Sequence, residues 1–215
     1  MEAVVEKRNL TIEKVDDIVF EKKPVYDTTK RLFDIFASLV AIIILAIPMI
    51  IVAIAVKMDS SGPVVYAQER LTKDGRKFIL YKFRTMCENA EKNGAQWAEV
   101  DDCRITRLGS FLRKTRMDET LQFFNVLKGD MSIIGPRPER EIFHKDFCEK
   151  IEKWNDRLYV RQGITGLAQV TGGYDLMPQD KLVHDLEYIK NRSVWLDIKI
   201  MWKTVAIVFT HKGAR

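Results

Sequence analysis

Asp118 and Glu119 are adjacent carboxylates set in a basic run, Phe111-Leu-Arg-Lys-Thr-Arg-Met-Asp-Glu-Thr-Leu-Gln-Phe-Phe-Asn125. Thr115-Arg-Met-Asp118 fits a capping-box pattern, and Glu119 to Lys128 has the spacing of an amphipathic helix ending at Gly129. Both acids then fall in a first helical turn, where the positive end of the helix dipole and free backbone N–H groups favour the ionised form. Arg113, Lys114 and Arg116 add positive charge. Carboxylates held ionised suit a nucleophile or a metal ligand. Acids in a first turn also stabilise helices with no chemistry attached, so the pair alone assigns nothing.

Cations elsewhere narrow the reading. In Gly135-Pro-Arg-Pro138 two prolines stiffen the mount of Arg137, whose planar fork matches two phosphate oxygens. Lys82 and Arg84 share one face of a predicted strand by its period of two. These residues together suggest a diphosphate site, with Mg²⁺ held by Asp118 and Glu119 plus phosphate oxygens. His144, His184 and His211 are scattered and no His/Cys cluster has transition-metal spacing, which argues against zinc. Cys87, Cys103 and Cys148 are odd in number and far apart, as expected of reduced thiols in a cytosolic compartment.

The elements that must position this site begin with a membrane segment. Ile35 to Val56 carries no charge; as a straight helix of about 22 residues it is roughly 33 Å long, enough to cross a hydrocarbon core. Lys22, Lys23, Lys30 and Arg31 precede the run, and Lys57, Arg70, Lys73, Arg76 and Lys77 follow it. A spanning helix keeps its basic flank on one side, so two basic flanks favour a re-entrant helix that bends at Pro48 and returns to the same face. A spanning helix and a buried core helix are the other readings. Asp34, at the membrane edge near Lys30 or Arg31, need not be buried. Trp195 to Thr210 reads as a second, amphipathic helix with Trp195 and Trp202 suited to the headgroup layer, or else as a helix packed on the core.

The chain has 215 residues, 47% of them hydrophobic, and a net charge of +5. A mean hydropathy of -0.15 excludes a many-span transporter, and a pI near 9.0 suits an acidic partner: nucleic acid, anionic lipid or a nucleotide. The N-terminal run is too long for a signal peptide and lacks a cleavage site. Val64–Gln68 and Lys77–Phe83 read as strands around the turn Lys73-Asp-Gly75. Cys87 to Asp102 reads as helix and loop, Ile133 to Pro138 as a stiff extended segment, and Glu139 to Val160 as helix. Gly163–Gly166 and Thr171–Gly173 read as loops, and His184 to Lys190 opens the last helical region. The order fits an α+β fold: a small, mostly helical catalytic domain with a short β-hairpin, on a re-entrant membrane helix and interfacial amphipathic helices. Its divisions are a charged leader (1–30), the membrane helix (31–58) and the catalytic domain (59–215).

From Lys30 to Gly213 the chain resembles the bacterial sugar transferases, the monotopic polyprenyl-phosphate phosphoglycosyl transferases. The matching segments are Lys30-Arg-Leu-Phe-Asp34, Tyr81-Lys-Phe-Arg-Thr-Met86, Met117 through Pro138, Gly163-Ile-Thr-Gly-Leu-Ala-Gln-Val170 and Asp185-Leu-Glu-Tyr-Ile-Lys-Asn191. The resemblance implies a re-entrant helix broken at Pro48, a site on the cytoplasmic face of the inner membrane, and Mg²⁺. It implies that Asp118 attacks the β-phosphate of a UDP-sugar, releases UMP and carries the sugar phosphate to polyprenyl phosphate. Glu119 matches the second acid, and Lys82, Arg113 and Arg137 match basic positions near the phosphates. The implied partners are the UDP-sugar, polyprenyl phosphate and membrane lipid; nucleic acid is not among them, and a homodimer is left open. The chain departs from the pattern at Ile47 (commonly Ser), Gln162 (usually Pro) and Gly172-Gly173 (usually Asn-Gly-Arg). Two other functions compete: a membrane-anchored basic binding or scaffold protein, and a glycosyl transferase that releases UDP.

Overall fold

The computed structural model describes residues 20–92, 94, 102–172 and 176–210. Helix α1 (Pro24–Asp59) opens on a proline, whose missing N–H costs nothing at a helix start, and ends where Ser60 turns extended. Its buried residues Asp34, Ser38, Met49, Val52 and Val56 recur mostly at three- and four-residue steps, so one stripe faces the protein. Phe36, Ile43, Ile44, Ile47, Ile51 and Ile54 lie exposed. An apolar face this long left uncovered marks a membrane or partner surface. Pro48 sits inside α1 without ending it; the expected break there is not an interruption of the helix.

Both ends of α1 pack on the same domain. Near its start the Arg31 guanidinium donates to the carbonyls of Val126 (2.6 Å) and Leu127 (2.9 Å). Near its end Met49, Val52 and Val56 pack with Phe83 and Leu112. Asp34, which the sequence reading did not require to be buried, is 2% exposed. Its carboxylate accepts from the Ile133 amide at 3.1 Å and lies 3.6 Å from the Lys30 ammonium.

Strands β1 (Val65–Leu71) and β2 (Lys77–Phe83) form the expected antiparallel hairpin, with Tyr66 opposite Lys82 and Arg70 opposite Phe78. Asp74 (φ 59°) and Gly75 (φ 74°) supply its left-handed turn. Of the helix and loop expected over Cys87–Asp102, residues 88–92 form turns, while residues 93 and 95–101 lie outside the described residues. Helix α2 (Arg107–Lys114) is capped by Thr106, whose Oγ1 accepts from the Gly109 amide. Helix α3 (Gln122–Lys128) ends at Gly129 (φ 88°) as expected.

Two stretches read as non-strand pair up: β3 (Ser132–Ile134) and β4 (Gly163–Thr165) run parallel. The single helix expected over Glu139–Val160 is split. Helix α4 (Glu141–Lys150) stops, Lys153 adopts φ 61°, and a 3₁₀ segment, Trp154–Tyr159, turns Trp154 and Arg157 inward. Helices α5 (Leu167–Thr171), α6 (Pro178–Asn191) and α7 (Val194–Thr210) complete the α+β domain. Its core joins Ile134, Trp154, Leu186, Tyr188, Ile189 and Ile200. Helix α7 does two jobs: Ile200 is buried, while Trp195 and Trp202 are 76% and 72% exposed. The hydroxyls of Tyr26 and Tyr188 each donate to Asp197 at 2.9 Å, with Lys30 at 3.4 Å, tying the start of α1 to α6 and α7.

Candidate active site

The acid pair lies on a three-residue 3₁₀ turn, Met117–Glu119, reached from α2 through Arg116 at φ 60°. The expected capping box does not form: the Thr115 hydroxyl donates back to the Phe111 carbonyl instead. A turn this short carries little dipole, so the field expected to ionise both acids is missing. The turn instead places them in a cavity of about 600 Å³ whose wall includes Lys82, Arg113 and Arg137.

Asp118 is 7% exposed, and its Oδ1 has no hydrogen-bond partner among the described residues. Burial pushes its carboxyl up to about 7, and the neighbouring Glu119 charge adds to the rise. Lys82, Arg113 and Arg137 pull the other way without cancelling it. The expectation of two readily ionised carboxylates is thus corrected for Asp118. For Glu119 it stands. Burial raises that group, but Arg137 outweighs it and holds the carboxyl below the ordinary glutamate range. The Arg137 fork donates to both carboxylate oxygens, Nη1 to Oε2 at 3.4 Å and Nη2 to Oε1.

Lys82 faces the Tyr66 ring at 5.2 Å, as the hairpin register dictates. Burial, aided by the Arg70 charge, brings its ammonium down to about 8. The Arg113 Nε donates to the Thr85 hydroxyl at 2.9 Å, which steers the rest of its guanidinium along the cavity wall. Arg84, expected to contact phosphate, lines the cavity as well, but its guanidinium is engaged elsewhere. Strand β2 ends at Phe83, and the Arg84 guanidinium turns to the carbonyls of Val56, Ser60 and Ser61, where it caps α1. Pro48 is on α1 and does not line the cavity.

The mount of Arg137 is built by backbone. The Gly135 amide donates to Thr165 O and the Gly163 amide to Pro136 O, both at 2.8 Å. Any Cβ at Gly163 would sit 2.2 Å from Gly135 N, so this contact requires glycine. Gln162, standing where proline is usual, is buried, and its amide donates to the carbonyls of Arg157 and Val160. Of the Gly172-Gly173 pair, Gly172 caps α5 and Gly173 lies outside the described residues.

Sequence reasoning missed Tyr66, Arg70, Glu91, Glu139 and Arg140, which also line the cavity. The Tyr66 hydroxyl and the Arg140 guanidinium both donate to Glu91 Oε1, at 3.0 and 2.9 Å. The hairpin register, once written out, points to Tyr66 and, four residues along the same face of β1, to Arg70; no local pattern points to the others. For Mg²⁺ the residues fit in part. The unpartnered Asp118 Oδ1 suits one ligand position, with phosphate oxygens supplying more. Both oxygens of Glu119 are engaged by Arg137, so its expected place as a ligand is taken in this arrangement. Among the described residues no group of three or more metal-ligating side chains converges.

An acid pair in a basic cavity, carried against a long apolar helix, has relatives. The chain is 48% identical over 195 residues to the UDP-N-acetylgalactosamine-undecaprenyl-phosphate N-acetylgalactosaminephosphotransferase of Aeromonas hydrophila, covering 89% of this chain and 46% of that protein. It is 39% identical over 190 residues to the UDP-glucose:undecaprenyl-phosphate glucose-1-phosphate transferase of Klebsiella pneumoniae, covering 86% and 41%. It thus spans less than half the length of both. A Bacillus subtilis relative is 45% identical over 153 residues, 85% of its own length. Residues 25–211 match the description "Bacterial sugar transferase". That span takes in α1, the acid pair and the Arg137 mount, and the chain belongs to the bacterial sugar transferase family.

Proposed function

We propose that this chain transfers a sugar 1-phosphate from a UDP-sugar to polyprenyl phosphate at a membrane surface. The observation that carries the reading is the free oxygen of Asp118 in a cavity with Lys82, Arg113 and Arg137. In its ionised form Asp118 attacks the β-phosphorus of the donor. The bond from that phosphorus to the bridging oxygen breaks, and UMP leaves with the electron pair. A phosphate oxygen of the lipid then attacks the same phosphorus, the aspartyl oxygen departs, and the carboxylate is restored. Lys82, Arg113 and Arg137 hold the diphosphate charge that builds up around the phosphorus. Glu119, kept ionised by Arg137, keeps that fork oriented. Mg²⁺ bound at Asp118 and the donor phosphates would neutralise further charge.

We infer that α1 is re-entrant and that the site faces the cytoplasm. Support comes from the packing of both α1 ends on one domain and from the basic residues on both flanks. Pro48, lacking an amide hydrogen, offers a point where the helix can bend. The Trp195 and Trp202 side chains suit the headgroup layer beside it. UDP-N-acetylgalactosamine is the donor to try first, because the Aeromonas relative is named for it.

The test is intact-protein mass spectrometry of enzyme quenched with donor alone, together with the nucleotide product. A sugar phosphate on Asp118 with UMP released supports the reading. UDP release would make the chain an ordinary glycosyl transferase, and turnover without an adduct would remove the covalent step.

A further inference from the structure

The segment that carries Arg137 cannot be pinned through its own prolines, because Pro136 and Pro138 have no N–H to donate. It is pinned by its carbonyls. Four in succession accept hydrogen bonds from elsewhere. Pro136 O accepts from the Gly163 amide (2.8 Å), and Arg137 O from Arg157 Nη2 (3.1 Å). Pro138 O accepts from Arg70 Nη1, and Glu139 O from the Leu71 amide, each at 3.1 Å. Arg70 also lines the cavity, so it can meet a donor directly. Arg157 does not line it.

Arg157 is 1% exposed, an unusual place for a charge. Its Nε donates to Asp185 at 2.7 Å, its guanidinium lies over the Trp154 ring at 4.3 Å, and its own carbonyl accepts from the Gln162 amide. Asp185 is equally buried. Four residues earlier on α6, Lys181 donates to the Glu139 side chain. One face of α6 therefore grips both ends of the stretch from Arg137 to Glu139 through paired charges. A buried ion pair of this kind adds little net stability over apolar packing, whereas removing one partner is costly. Hydrogen bonds link Asp185 to Arg157 and Arg157 to the Arg137 carbonyl, the Arg137 side chain carries the link onward covalently, and its fork hydrogen-bonds Glu119.

We propose that Arg157, held by Asp185, is a positioning residue for the transfer: it acts through the Arg137 carbonyl to aim the Arg137 fork at Glu119 and the donor phosphates. This rests on the reading given under Proposed function. A lysine at 157 keeps the charge next to Asp185, but its single ammonium cannot also reproduce the second, fixed donor to Arg137 O.

The test is a double-mutant cycle in detergent-solubilised full chain, with Arg157→Lys, Arg137→Lys and the pair, reading UMP release at saturating donor. Wild-type turnover is the prior control: a wild type that releases no UMP overturns the function itself, not this inference. Arg157→Lys is expected to lower kcat on the order of 10–100-fold with donor KM changed less than about threefold. In the Arg137→Lys background it should cost less than about threefold more, because the two act on one fork. Both parameters are read on the folded, monodisperse fraction, so a smaller folded fraction does not enter them. An Arg157→Gln/Asp185→Asn variant, which leaves no lone buried charge, should show the same loss of kcat at a little-changed donor KM. Losses that are fully additive with Arg137→Lys would show that Arg157 only supports the fold, and would overturn the proposal.

Discussion

Arg137 engages both oxygens of Glu119, and in doing so it leaves Asp118 as the acid of the pair with an oxygen to spare. Two adjacent carboxylates thereby become unlike. One is held ionised by a partner; the other is buried, raised and available. Divergent carboxyls in one cavity are how a site separates a reacting group from a supporting one.

Asp118 should cost stability where it is ionised. Its folded value of about 7 lies above the ordinary aspartate value, so the folded chain binds the proton more tightly than the unfolded one. Any destabilisation from its charge is therefore absent below about pH 4 and complete above about pH 7. Asp118→Asn should melt at a higher temperature than wild type at pH 8, with the gap closing towards pH 5, while turnover falls on the order of 10³-fold or more. Thermal scans at the two pH values and UMP release measure both. Equal melting curves at pH 8 would contradict the buried, raised carboxyl.

The pH dependence of kcat/KM should be a narrow bell. Activity should fall below about pH 7 as Asp118 takes up a proton, and above about pH 8 as Lys82 loses one. The two limbs are properties of the cluster, not of isolated residues. Lys82→Arg, with a guanidinium that stays charged, should push the alkaline limb up by a unit or more even if the maximum rate drops. An alkaline limb unmoved by that change would remove Lys82 as its source.

Arg84→Met should be a stability variant. It leaves the carbonyls of Val56, Ser60 and Ser61 without their donor, at a cost of roughly 1–3 kcal/mol. Donor KM in the folded fraction should stay within about twofold of wild type, whereas Arg137→Lys should change donor kinetics with a smaller loss of melting temperature. A large rise in KM for Arg84→Met would restore Arg84 as a phosphate ligand.

Gly163→Ala should fail to hold the Arg137 mount, since its new methyl would overlap Gly135 N. Overpacking of this kind typically costs on the order of 1–3 kcal/mol or more. Expression level and chemical denaturation report it; a variant as stable and active as wild type would mean that β3 and β4 separate freely.

Ile43→Glu with Ile47→Glu should release the protein from vesicles without altering the cavity. Both side chains lie on the exposed face of α1, at 68% and 72% exposure. Each carboxylate should weaken insertion by about 2.5–3.5 kcal/mol if its position is deep in the bilayer. Flotation with liposomes measures the partition, and undiminished flotation would place the membrane contact elsewhere.

Much of this was legible in the sequence because it is local. Alternation and an Asp-Gly turn give the hairpin, an uncharged run gives α1, and Gly129 gives the end of α3. What stayed hidden depends on distant partners. Arg84 reads as a strand-face cation, yet the chain returning from Ser60 supplies it with carbonyls. Asp34 reads as an acid at the membrane edge with no need of burial, yet the Ile133 amide, 99 residues later, takes it inside. Gly163-Ile-Thr reads as a loop because three residues are too few to show a period, and only the facing β3 makes them a strand. The capping box failed for a different reason: Arg116 turned left-handed and directed the acids into the cavity, at the expense of the helix start. The charge state of Asp118 followed burial, which no motif records.

Because α1 is fastened to the domain at Arg31 as well as at Val52 and Val56, its exposed apolar face and the cavity are joined as a single piece. The height of the chamber over any bilayer is then set by side-chain packing and not by the reach of a tether. If the acceptor is the proposed polyprenyl phosphate, its phosphate has to arrive at one fixed depth, and the protein would gauge it by altitude before testing its chemistry.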